Sequence, residues 1–148
     1  MNATDFDLDV LGFRQRLAAR KFDVQSAQDY INELGKRWAE SAQSYFKDVV
    51  SVTLNAGESR FEGDVLGRKF SIHYAPIGSE GEGVIEAVLC TRDLINGQPI
   101  AIASFFVTAR GCIFSMDGKK HLDLADRGAD LTLLATIAKR VINASSRA

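Results

Sequence analysis

Across residues 23–47, apolar side chains return at steps of three and four. Val24, Ala27, Ile31, Leu34, Trp38, Ala42, Tyr45 and Val49 form one stripe, with Gln25, Asn32, Lys36, Arg37, Glu40 and Gln43 off it. This is the period of an amphipathic α-helix, and Asp23 is placed to cap it. The stripe lasts about three heptads and mixes side-chain sizes, which favours packing on the chain's own sheet over a helix-to-helix dimer seam. Ahead of it, Phe6, Leu8, Val10, Leu11, Phe13 and Leu17 fit a short helix, capped by Asp7 or Asp9 and running to about Arg20. Gly12 weakens that helix, so residues 1–22 read either as a helix packed on the domain or as an arm for a partner. Residues 23–148 read as one domain.

After residue 49 the period changes to two. Val50, Val52 and Leu54 alternate with Ser51 and Thr53; Phe61, Gly63 and Val65 alternate with Arg60, Glu62 and Asp64; Phe70, Ile72 and Tyr74 alternate with Lys69, Ser71 and His73. These are half-buried strands. Two-residue turns at Ala56-Gly57 and Gly67-Arg68 would pair Val52 with Phe61, Val65 with Phe70 and Gly63 with Ile72. That register gathers the apolar residues on one face and leaves the other polar.

Residues 77–82 read as a flexible glycine-containing loop. Beyond it lie two long apolar runs joined by Asn96-Gly97, a strong signal for a type I′ hairpin. That turn would pair Cys90 with Ala103, Val88 with Phe105 and Glu86 with Val107. Arg110-Gly111 would close the next hairpin, with Val107 opposite Phe114. One face then carries Val88, Cys90, Ala103, Phe105, Val107 and Phe114, and is assigned to the helices. The other carries Ile85, Leu89, Ile100, Ile102, Phe106 and Ile113 with no evident cover, and these are the candidate protein interface. Glu86 fits badly in this register, because it falls on the more apolar face. A last helix, from about Asp126 or Asp130 to Ala144, carries Leu131, Leu134, Ala138, Val141 and Ile142, widened by Leu133 and Ile137. The final residues, from Ala144 on, should fray.

The expected fold is therefore α+β: a six-stranded antiparallel meander sheet with a long N-terminal helix and a C-terminal helix packed on one face. Hydrophobic residues at 46% and charged residues at 25% of 148 place the chain among folded domains rather than disordered or fibrous ones. A net charge of -1 gives no global attraction for nucleic acid. No apolar run approaches the roughly 18 residues that span a bilayer, and the acidic N-terminus lacks a secretory pattern, so a cytoplasmic protein is expected.

Candidate chemistry is sparse. His73, Glu62 and Ser71 fall on the polar sheet face, where a solvated cross-strand pair outweighs an acid–base cluster. Cys90 and Cys112 sit among Val, Ala and Phe and read as buried thiols. No metal-ligand spacing occurs, and Gly78, Gly81 and Gly83 match no phosphate-binding pattern, so no metal, cofactor or catalytic residue is expected. Arg110, Lys119, Lys120 and His121, with Arg127 nearby in sequence, are candidate contacts for an anion or an acidic partner, although lysines also protect an edge strand from pairing. The leading expectation is a non-enzymatic binding or regulatory protein that acts through protein contacts, as a homodimer. The alternative is a small-molecule binder or enzyme with a pocket between sheet and helix near Trp38, Tyr74 and Phe105. Nucleic-acid binding through the basic patch ranks third.

Overall fold

The computed structural model describes residues 1–78 and 81–145. A 3-10 turn at Ala3–Phe6 leads into helix α1, Val10–Ser44. Seven strands follow: β1 Val50–Asn55, β2 Arg60–Val65, β3 Arg68–Ile77, β4 Val84–Arg92, β5 Pro99–Thr108, β6 Cys112–Phe114 and β7 Lys120–Asp123. Helix α2, Ala129–Asn143, completes the order. All strands are antiparallel, each beside its sequence neighbours, in one meander sheet. The α+β class and the two helices agree with the sequence reading; the strand count is seven rather than six. The added strand is β7, whose Lys120-His121-Leu122-Asp123 carries one apolar residue and so shows no alternation.

The expected break between residues 22 and 23 is not a break in the helix. Asp9 caps α1 by accepting from the Gly12 amide at 3.2 Å, and the helix runs 35 residues without interruption, about 50 Å at 1.5 Å per residue. Asp23 does not cap; its carboxylate accepts from the Gly83 amide at 3.2 Å and ties mid-helix to the start of β4. Only the second half of α1 is embedded. Ala27, Ile31, Leu34, Trp38 and Ala42 are buried against the sheet, and Trp38 is completely enclosed. Its ring packs on Phe61, which packs on Tyr74, with centroids 4.9 and 6.0 Å apart. The Trp38 indole N–H donates to the Asp130 carbonyl at 2.8 Å and so joins the two helices. Helix α2 buries Leu133, Leu134, Ile137 and Val141; Leu131 lies at the margin and Ile142 is exposed. Arg68 donates to the Ala144 carbonyl at 2.7 Å, fixing the end of α2 to β3.

In the first hairpins the turns lie elsewhere than expected. Leu66 and Gly67, both at positive φ, close β2 onto β3, so Val65 faces Arg68, Gly63 faces Phe70 and Phe61 faces Ile72. The β1–β2 connection is longer, with a 3-10 turn at Ala56–Glu58 and Ser59 in the left-handed region, so Val52 faces Gly63. Each register differs from the expected one by two residues. With a side-chain period of two, every residue keeps its face, and Phe61, Val65, Phe70, Ile72 and Tyr74 are all buried. Gly63 is required here. A Cβ on it would stand 2.1 Å from the Ser51 carbonyl oxygen and 2.8 Å from the Phe70 ring, which fills the missing side chain's place.

The second half of the sheet departs by an odd number. Asn96-Gly97 is part of a longer loop, in which the Asp93 carboxylate accepts from the amides of Ile95 at 2.8 Å and Asn96 at 3.2 Å. Strand β5 then carries an irregularity opposite Leu89/Cys90, a bulge at Ile102. Beyond it Leu89 faces Ala103, Ala87 faces Phe105 and Ile85 faces Val107. One inserted residue exchanges the faces of Val84–Leu89 relative to β5, while Cys90–Arg92, on the other side of the bulge, keep theirs. In β6 the same change occurs, with Ile113 rather than Phe114 opposite Val107. Ile85, Ala87, Leu89, Val107 and Ile113 therefore form the core under the helices. Glu86, awkward in the expected register, lies on the outer face opposite Phe106.

Candidate interaction surface and cavity

Residues proposed from sequence as one interface separate in the structure. Ile85, Leu89 and Ile113 are buried in the core at 0%, 1% and 3% exposure, so no partner reaches them. Ile100 and Ile102 are half-buried on β5 at the bulge, and Ile102 packs against the core. Phe106 alone of the six is placed on the outer face, half-buried beside Phe114. The open apolar sheet face thus does not exist as expected; the bulge turned it inward.

An uncovered apolar surface occurs instead on the first half of α1. Ahead of the seam that buries Ala27, Ile31, Leu34 and Trp38, Val24 lies one step of three back, and Val10, Phe13 and Leu17 repeat the steps of three and four, separated from Val24 by a seven-residue step across the charged Arg20 and Lys21. There it is largely open: Val10 is 71% and Leu17 47% exposed, and Leu11 and Phe22 are exposed too, while Phe13 is half-buried and Leu17 borders a hollow shared with Pro76 and Ile77. The segment is nevertheless well built. Asn2 and Asp5 cap the 3-10 turn reciprocally, and the Thr4 amide donates to Asn2 at 3.0 Å. Its charges are segregated. Asp5, Asp7 and Asp9 precede or open the helix, and Arg14, Arg16, Arg20 and Lys21 follow within it. Gly83 packs on Arg20, and with Asp23 it marks where the helix meets the sheet.

The second feature is a cavity of about 430 Å³ between α2 and the β4–β7 end of the sheet. Its lining includes the apolar Leu89, Ala103, Phe105, Ile113, Leu133 and Ile137 and the polar Ser104, Ser115, His121, Thr132, Thr136 and Arg140, the last four of them exposed and so toward its rim. It opens where the small Ala103 follows the bulge, opposite Leu89, leaving space that α2 does not fill. Arg140 is held at the rim by donating to the Ile102 carbonyl at 2.6 Å. The Thr132 and Thr136 hydroxyls donate back to helix carbonyls, at 3.1 and 2.8 Å. The pocket expected around Trp38, Tyr74 and Phe105 differs: Trp38 and Tyr74 are packed core, and only Phe105 reaches the cavity. Sequence gave no direct signal for this site, because β7 and the bulge that create it carry no periodicity.

The basic residues do not converge. Arg110 sits in the turn before β6, while Lys119 lies in the turn after it, at the other end of that strand. Lys120 pairs with Asp123 at 3.7 Å, and His121 turns to the cavity rim. Asp117 beside them has its carboxyl held below the usual value by the Ser115 hydroxyl and the Lys119 amide, with a smaller contribution from His121. His73 accepts or donates to Ser71 at 2.9 Å on the exposed face, and Glu62 pairs with Arg60 rather than His73. Both cysteines are free; burial pushes the Cys90 thiol up, away from the reactive thiolate. Among the described residues no group of three metal-ligating side chains gathers, and no helix is long and apolar enough to cross a membrane. The loop expected at residues 77–82 and the fraying tail from Ala144 lie partly outside the described residues. Comparison with family models, with curated proteins and with solved structures finds no match to this chain.

Proposed function

We propose that the chain is a non-enzymatic protein-interaction module that pairs with a second copy of itself through the free half of α1. The observation that carries this reading is the open apolar surface of that segment: the spacing of three and four that packs Ile31 and Trp38 on the sheet recurs at Val10, Phe13 and Leu17, where Val10 and Leu17 stand exposed. A capped, regular helix with an open apolar stripe recruits another helix, because burying the stripe removes apolar surface from water. The charge order supports an antiparallel partner of the same sequence. Two overhangs crossing near Phe13 bring Val10 of each against Leu17 of the other, and set Asp7 and Asp9 near the other copy's Arg20 and Lys21. A parallel pair sets like charges together instead. This two-fold arrangement is self-complementary, as an isologous interface requires. A seam this short belongs below the about 1,200 Å² typical of stable complexes, so a dimer of micromolar strength is expected.

Sedimentation equilibrium across the micromolar range tests the proposal. The native chain should show a reversible monomer–dimer equilibrium that weakens with salt, and Leu17→Asp should be monomeric with an unchanged circular dichroism spectrum. A native chain that stays monomeric throughout, or a Leu17→Asp chain that dimerises equally well, rejects the reading.

A further inference from the structure

We infer that the cavity under α2 is a binding site for a small amphipathic carboxylate, a medium-chain monocarboxylic acid or an arylalkanoic acid of similar length. The inference is independent of self-association, since the cavity and the free half of α1 share no residue.

Three observations converge on that ligand class. The volume, about 430 Å³, falls within the range of small-molecule sites and far exceeds a packing defect. The walls, from Leu89 and Phe105 to Ile137, offer hydrocarbon and aromatic surface without a hydrogen-bonding group, so the body of the ligand is apolar. The polar lining groups are the more exposed ones, His121, Thr132, Thr136 and Arg140 exposed and Ser104 and Ser115 half-buried, and they differ in what they can still offer. The rim threonines spend their hydroxyl hydrogens on the helix backbone, and the Ser115 hydroxyl is directed to Asp117. What remains to donate toward the mouth is cationic or neutral: Arg140, His121 and Ser104. Arg140 is already oriented by its bond to the Ile102 carbonyl, and among the described residues no acidic side chain pairs with it. An oriented, unneutralised guanidinium beside an apolar cavity recognises a planar anion at the end of an apolar body, and the guanidinium fork matches a carboxylate. The bulge at Ile102 thus has a second effect: it opens the space and presents the carbonyl that holds the arginine.

Isothermal titration with three ligands of one chain length tests this on the unaltered protein: decanoate, decanol and decyltrimethylammonium. Decanoate should bind saturably at one site per chain, with decanol about tenfold weaker, the effect of losing one charge-assisted hydrogen bond, and the ammonium not at all. Arg140→Gln should reduce decanoate affinity to the level of decanol without changing decanol binding, a split that general damage to the fold would not produce. Ala103→Leu should abolish binding of both while leaving or raising Tm. Leu17→Asp should bind decanoate as the native chain does, so failure of dimerisation and failure of ligand binding are separately visible. No saturable binding of decanoate, equal binding of decanol, or undiminished binding by a folded Arg140→Gln chain overturns the proposal.

Discussion

The two halves of α1 carry the same apolar spacing in different surroundings. From Ala27 to Ala42 the apolar positions lie under the sheet, with Trp38 wholly enclosed; from Val10 to Leu17 the same spacing recurs with Val10 and Leu17 exposed and Phe13 half-buried. Amphipathic spacing therefore specifies that a helix has a face to bury, and leaves open whether its own chain or another supplies the cover. In this protein the Asp23–Gly83 bond ties the helix to the sheet at the boundary between the two halves.

The sharpest way to break the contrast is Trp38→Ala, which empties the centre of the covered half. It should cost about 3–5 kcal/mol, the range for large aromatic truncations in cores, read from urea unfolding. A loss below 1 kcal/mol would mean that the covered half is not the structural anchor. A matched pair of truncations is next. Ile31→Ala should cost about 2–5 kcal/mol, whereas Leu17→Ala should change dilute-solution stability by no more than about 0.5 kcal/mol. Similar losses at both sites in the monomer would erase the distinction between the halves. Smallest is Asp9→Ala, which removes the N-terminal cap. It should cost about 1 kcal/mol of local helix stability, seen as faster hydrogen exchange at the amides of residues 12–14 with core amides unaffected.

How much of this was legible from the sequence depended on parity. The pattern at residues 50–74 assigned every core side chain correctly although both turns were misplaced, because displacements of two residues preserve the faces. The same logic failed from Val84 onward. Asn96-Gly97 suggested a tight hairpin, but Asp93 begins a wider loop and Ile102 is inserted as a bulge. Since this region is apolar on both faces, no polar residue signalled the inversion except Glu86, whose poor fit was the only visible trace. The cavity depends on the bulge and on β7, and was displaced in the expectation for the same reason. The N-terminal segment was recognised as apolar and capped, but its fusion with the main helix was masked by Gly12 and by the competing cap at Asp23. Val10, Phe13 and Leu17 repeat the spacing of three and four found in the main helix, and that repetition was the available signal.

The Trp38–Asp130 bond joins groups 92 positions apart. On a ribosome, α1 emerges before the whole meander and α2 after it. Neighbouring strands can pair as they appear, because their contacts are local. The roof over Trp38 cannot close until the start of α2 has been made. Until then the sheet can shelter Ala27 to Ala42 but leaves Trp38 without its partner in α2, while Val10 and Leu17 stay in view before and after release. The surface that persists on the finished protein is the remainder of a longer one that its own folding withdraws.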